Sequence, residues 1–60
     1  MAGSAEPLFL PGKTFTLYTF GNPTVKVVKT RSDGWLLATD ERGEQVWYNA
    51  AALIGAREVP

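Results

Sequence analysis

"TVKVVKTRSDGWLLATDERGEQVWY" runs from Thr24 to Tyr48, and its reading decides the fold. Three runs rich in β-branched and aromatic residues alternate with two short polar segments. "TVKVVKTR" (24–31) is the most β-branched run of the chain, and such side chains suit a pleated, half-buried surface. "SDG" (32–34) is a hairpin signal, because Asp-Gly suits a turn with positive φ at both central positions. "WLLAT" (35–39) is the returning strand. "DERG" (40–43) is a second turn with Gly43 as its left-handed residue, and "EQVWY" (44–48) is the strand after it. Turns at this spacing predict a small antiparallel barrel or sandwich.

The flanks complete the pattern. "KTFTLYTF" (13–20) reads as a preceding strand, and "GNP" follows with Gly21 and Asn22 able to supply positive φ. After Tyr48, Asn49 is a helix N-cap, "AAALI" (50–54) leaves room for one 3-10 or α turn, and Gly55 fits its C-cap. "AREV" (56–59) can pair as a fifth strand. Residues 1–12, with Pro7 and Pro11 bracketing "LFL", read as a loose arm, with Phe9 as the residue to pin it. The domain itself spans 13–60.

Composition narrows the function. A chain of 60 residues buries only about 60% of the surface its unfolded form exposes, so its stability is marginal. It contains neither Cys nor His, which removes disulfides and the usual zinc ligands. Six basic and six acidic residues cancel, so the basic excess of many nucleic-acid binders is missing and self-repulsion is absent. No apolar run approaches membrane-spanning length. The first residues, "MAGSAEPLFLPG", lack the basic region of a signal peptide, and with no Cys the expected setting is cytoplasmic.

Strict alternation assigns the faces of the strands. Val25 and Val27 point one way, Lys26 and Val28 the other. Leu36 and Ala38 oppose Trp35 and Leu37. Val46 and Tyr48 oppose Gln45 and Trp47. Phe15 and Leu17 oppose Tyr18 and Phe20. Several strands thus carry apolar groups on both faces, and a barrel has one inside. The second apolar face is either covered, by the arm or by another copy of the chain, or it is a patch for a partner. A bulge in a strand would flip every side chain beyond it.

With these residues placed, the chain resembles a Src-homology-3-type barrel. That family runs "aLYdY", a long loop, a strand, "dGWW", a hairpin, and a "PsNYV" turn before a short last strand. Here "TLYTF" (16–20), "SDGWLLA" (32–38), "RGEQVWYNAAALI" (42–54) and "REV" (57–59) follow in that order. The long acidic loop is replaced by "GNP", and the proline of the later turn is absent. The resemblance therefore implies the barrel and not proline-rich peptide recognition. "QVWYNAAAL" (45–53) is also similar to the strand-to-turn segment of plasmid-borne type II dihydrofolate reductases, sharing Tyr48 and "AAL" (51–53). Where that family carries its active-site glutamine this chain has Val46, so barrel geometry carries over and reductase chemistry does not.

Catalysis needs a nucleophile beside a base, and neither His nor Cys is present. Ser4 lies in the arm and Ser32 in a turn, and Asp33, Asp40, Glu41 and Glu44 belong to turns or their edges. Lys26, Lys29 and Arg31 are the best basic stripe, but alternation puts Lys26 opposite the other two, with Trp35 close by to stack a base. The expected fold is an all-β, five-stranded antiparallel Src-homology-3-like barrel with one helical turn. The expected role is a non-enzymatic interaction module, without cofactor or metal, that binds a protein partner or itself. Its contact residues are Tyr18, Phe20, Trp35, Trp47, Tyr48 and Asn49. The alternative is a weak nucleic-acid-binding barrel using Lys26, Lys29, Arg31 and Trp35. Tyr48 shares a face with Val46, which makes Trp47 the better contact residue of that pair.

Overall fold

A computed structural model describes residues 9–60 of the chain. Five strands follow one another: β1 (Thr14–Tyr18), β2 (Thr24–Thr30), β3 (Trp35–Thr39), β4 (Gln45–Asn49) and β5 (Gly55–Val59). A 3-10 turn, Ala50–Ala52, links β4 to β5. Every ladder is antiparallel, and the strands form one sheet in the order β4-β3-β2-β1-β5. The all-β, five-stranded antiparallel expectation holds. Among the described residues no ladder joins the edge strands β4 and β5. Most of the arm expected over 1–12, including Ser4, lies outside the described residues.

The two central hairpins use the same turn. Residues 32–34 are closed by Arg31 N–H to Trp35 C=O at 2.7 Å and Gly34 N–H to Arg31 C=O at 3.3 Å. Residues 41–43 are closed by Asp40 N–H to Glu44 C=O at 2.8 Å and Gly43 N–H to Asp40 C=O at 3.0 Å. Gly34 has φ +94° and Gly43 φ +86°, whereas Asp33 keeps a negative φ. These are three-residue loops in which one glycine takes the left-handed position. They are not the two-residue turn expected of Asp-Gly. Gly21 and Asn22 both take positive φ, as their residue types allow.

Asn49 caps the 3-10 turn, its Oδ1 accepting the Ala51 N–H at 2.9 Å. The turn stops sooner than expected. Leu53 is the C-cap in extended conformation, and Gly55 opens β5. The reason lies across the ladder, where Tyr18 is the pairing partner of Gly55. A Cβ on Gly55 would stand 3.2 Å from the Tyr18 ring. The glycine therefore makes room for an aromatic ring rather than for a helix end.

One face of the sheet supplies the core. Phe15, Leu17, Val25, Val27, Leu36 and Ala38 are each at most 2% exposed, and in each strand alternation had put the two on one face. Among the described residues no second layer of strands covers them. Phe9, Tyr48, Ala50, Leu53 and Ala56 close the ends of this core. Phe9 stacks on Phe15 with ring centroids 4.9 Å apart, which pins the start of the described chain.

Six buried side chains must carry most of the stability, and a domain of this length has only about 3–9 kcal/mol in total. Leu36→Ala is expected to cost about 2–5 kcal/mol and leave the chain largely unfolded at room temperature. Leu37→Ala, on the half-buried opposite face, is expected to fold. Urea titration followed by tryptophan fluorescence checks both.

Candidate functional site

The decisive local feature is in β2. Lys26 pairs with Thr39 and Val27 with Ala38, but Lys29 pairs with Leu37 and Thr30 with Leu36. Val28 is the extra residue of a β-bulge, two residues of β2 standing against one step of β3. Beyond it the parity of the strand reverses. Continued alternation would have sent Lys29 and Arg31 into the core behind Val25 and Val27. The bulge sends them to the outer face, where Lys26 already is. The expectation that Lys26 stands opposite Lys29 and Arg31 is thus corrected, and the cause is the cost of burying unpaired charge.

The outer face of β2, β3 and β4 can be read row by row. Lys26, Thr39 and Gln45 form one row; Lys29, Leu37 and Trp47 the next; Arg31, Trp35 and Asn49 the last. Trp47 is 41% exposed and Trp35 is 37% exposed. Lys29 Nζ lies 5.8 Å and Arg31 Cζ 5.6 Å from the centre of a Trp47 ring, both in cation–π range. Leu37, which lies between Lys29 and Trp47 in the row, is half-buried. Arg31 also pairs with Asp33 in the adjacent turn, where Asp33 Oδ1 accepts the Trp35 N–H at 3.3 Å. No outward position of β2, β3 or β4 carries a carboxylate.

The six expected aromatic-site residues do not form one patch. Trp35, Trp47 and Asn49 share this face. Tyr48 points to the other side, packed against the core, and burial pushes its hydroxyl above the usual tyrosine value, with Asp40 adding to the rise. Tyr18 lies over Gly55 on the far side of the sheet. Phe20 is fully exposed in the turn after β1, and Ile54, which nothing in the sequence singled out, is exposed just before β5. The alternative set fares differently: Lys26, Lys29, Arg31 and Trp35 are all brought together, and Trp47 and Leu37 join them.

Asp40 and Glu44 are occupied structurally. Asp40 Oδ1 accepts the Arg42 and Glu44 N–H groups, each at 2.9 Å, and Arg42 pairs with Asp40 and Glu44. Among the described residues no three of His, Cys, Asp and Glu gather where they could hold a metal. A cavity of about 440 Å³ lies between Phe9, the 3-10 turn and the start of β5, and no ionisable side chain among the described residues lines it. Among the described residues no helix is long and apolar enough to cross a membrane. No protein-family model, curated protein or solved structure matches the chain.

The Asp40 turn holds β3 and β4 in register and so sets Trp47 beside Leu37. The Glu44 N–H is the main influence holding the Asp40 carboxyl below the usual carboxylate range; sheltering acts the other way, and the Arg42 N–H and guanidinium add to the lowering. A depressed folded value means stability that is present above the ordinary carboxylate pKa and is lost as pH falls through the folded one. Asp40→Asn is expected to be less stable than the parent chain at neutral pH, with the gap closing as pH drops. Urea midpoints of both proteins between pH 7 and pH 3 check this.

Proposed function

We propose that this chain is a non-enzymatic binding module whose working face is the outer face of β2, β3 and β4, and that the ligand of this face is single-stranded nucleic acid. The observation that carries the reading is the bulge at Val28, which gathers Lys26, Lys29 and Arg31 around Trp35 and Trp47 with no carboxylate at an outward strand position. Aromatic rings offer bases a stacking platform worth about 1–3 kcal/mol each, and neighbouring cations hold the phosphates between them. Trp47 already has a lysine and an arginine within cation–π range, so part of the ordering is done before a ligand arrives. The order of strands, with one 3-10 turn before the last, supports the Src-homology-3-type resemblance, and barrels of that kind serve many binding roles.

A second reading has its own observation. Phe20 and Ile54 are almost wholly exposed, and Tyr18 lies nearby in the chain at the end of β1. Apolar side chains in such positions suit contact with a protein partner. This corner is separate from the tryptophan face, so the two readings can be tested by different substitutions.

Titrating the chain with a fluorescent oligothymidylate separates them. Neutralising three phosphates predicts a log–log salt slope of about −2, and Lys29→Ala is expected to reduce it by about 0.7. Trp35→Ala is expected to weaken binding by about 1–3 kcal/mol, while Phe20→Ala leaves it unchanged. Absence of binding at low salt, or binding indifferent to salt, rejects the nucleic-acid reading.

A further inference from the structure

The two edges of the sheet are not alike. β5 carries Arg57 and Glu58 and is followed at once by Pro60, and charges and proline at an edge strand are the usual protection against pairing with another chain. β4 reads Gln45, Val46, Trp47, Tyr48, Asn49, with no charge, proline or glycine. Among the described residues nothing pairs with its outer side.

The backbone groups of that edge can be assigned. Asp40 N–H reaches Glu44 C=O at one end of the β3–β4 ladder, and Ala50 N–H reaches Gly34 C=O at 2.8 Å at the other. Antiparallel ladders bond every second residue pair. The register therefore turns the N–H and C=O groups of Glu44, Val46, Tyr48 and Ala50 toward β3. The N–H and C=O groups of Gln45 and Trp47 and the N–H of Asn49 face away from the sheet, while the Asn49 C=O, at the N-cap, accepts the first bond of the 3-10 turn.

We propose that β4 is a self-association edge, and that its occupant is β4 of a second copy of this chain, paired antiparallel about a two-fold axis at Trp47. This inference rests on the edge alone and stands whether or not the outer face binds nucleic acid. The strand is self-complementary in that register. Trp47 faces Trp47 of the second copy and exchanges both backbone bonds with it, while Gln45 faces Asn49. On the outer face two indole rings and two pairs of side-chain amides meet. On the inner face Val46 meets Tyr48, both half-buried in the single chain. A two-fold pairing closes on itself and gives a dimer rather than a fibre.

The electrostatics permit the pairing. The chain has no net charge, so no long-range repulsion opposes it. The two β2 strands stand five strand spacings apart, about 24 Å, which is beyond the screening length of about 10 Å at 0.1 M salt. The dimer joins two copies of the cation–tryptophan face into one surface across the axis.

The axis makes a sharp test possible, because a substitution at Trp47 meets itself. Sedimentation of the full chain from about 1 μM to about 1 mM is expected to show a monomer–dimer equilibrium. Trp47→Lys and Trp47→Glu, each placing like charges opposite one another, are expected to be monomeric, and a one-to-one mixture of the two is expected to recover the dimer. Gln45→Pro, which removes an outward N–H without touching the β3 ladder, is expected to weaken the dimer at least tenfold and guards against a folding defect at position 47. Far-UV circular dichroism confirms that each variant is folded. A parent chain that stays monomeric throughout, a Trp47→Lys protein that remains dimeric, a mixture that stays monomeric, or assembly beyond the dimer overturns the proposal.

Discussion

Two charged side chains cannot be left in the core of so small a protein, and much of this structure follows from how β2 avoids it. Lys29 and Arg31 occupy the same sequence parity as Val25 and Val27, which are almost completely buried. An unbroken strand would drive both cations inward, at a cost of several kcal/mol each against a total stability of similar size. The single extra residue, Val28, resolves the conflict by disrupting the ladder locally, and Val28 itself is left partly exposed. Leu36 and Ala38 can then face the core while Lys29 lies on the side of Leu37. The cation–tryptophan face and the core thus have one common cause.

With six fully buried side chains among the described residues, local hydrogen bonding carries much of the specification. The Asp40 carboxylate accepts two backbone N–H groups of its own turn, and Asn49 accepts one at the start of the 3-10 turn. The left-handed glycines in the two loops let each hairpin close in three residues without strain. Short loops reduce the entropy that the sheet must overcome. The exposed ion pair between Lys13 and Glu58, at 3.6 Å, contributes little by comparison. Register is thereby set by the turns as much as by the core, which is why Trp35 and Trp47 can sit on one face without being buried.

The strands, their order along the chain and the inward residues were legible because alternation and turn residues agree through most of the sequence. The bulge was not placed, although it left a trace: a lysine and an arginine on the buried parity of a valine-rich strand contradict the period, and the contradiction marks the slip. The Asp-Gly pair suggested a two-residue turn because composition does not distinguish that loop from a three-residue one with a single left-handed glycine. Gly55 read as a helix end because its true partner, the Tyr18 ring, comes from a strand 37 positions earlier. The same long-range pairing separates Tyr18 from the two tryptophans. Tyr18 and Phe20 therefore never meet the tryptophans, which only the three-dimensional register could reveal, whereas alternation had already set Tyr48 on the face opposite Trp47.

Net charge is a poor guide to the field at this face, because charge in the chain is segregated. The acidic residues Asp40, Glu41 and Glu44 crowd at one end of the β3–β4 hairpin, where Arg42 already compensates part of them. The Lys29–Leu37–Trp47 row lies about three residues up the strands from that turn, roughly 10 Å, which is about one screening length at 0.1 M salt. At the other end Asp33 offsets Arg31 alone. A polyanion lying along the middle of the face meets lysines and indoles first and the acidic turn only through solvent. A neutral chain can thus present a locally cationic surface while staying free of the repulsion that would keep two copies apart. Both properties come from the same distribution of six positive and six negative charges.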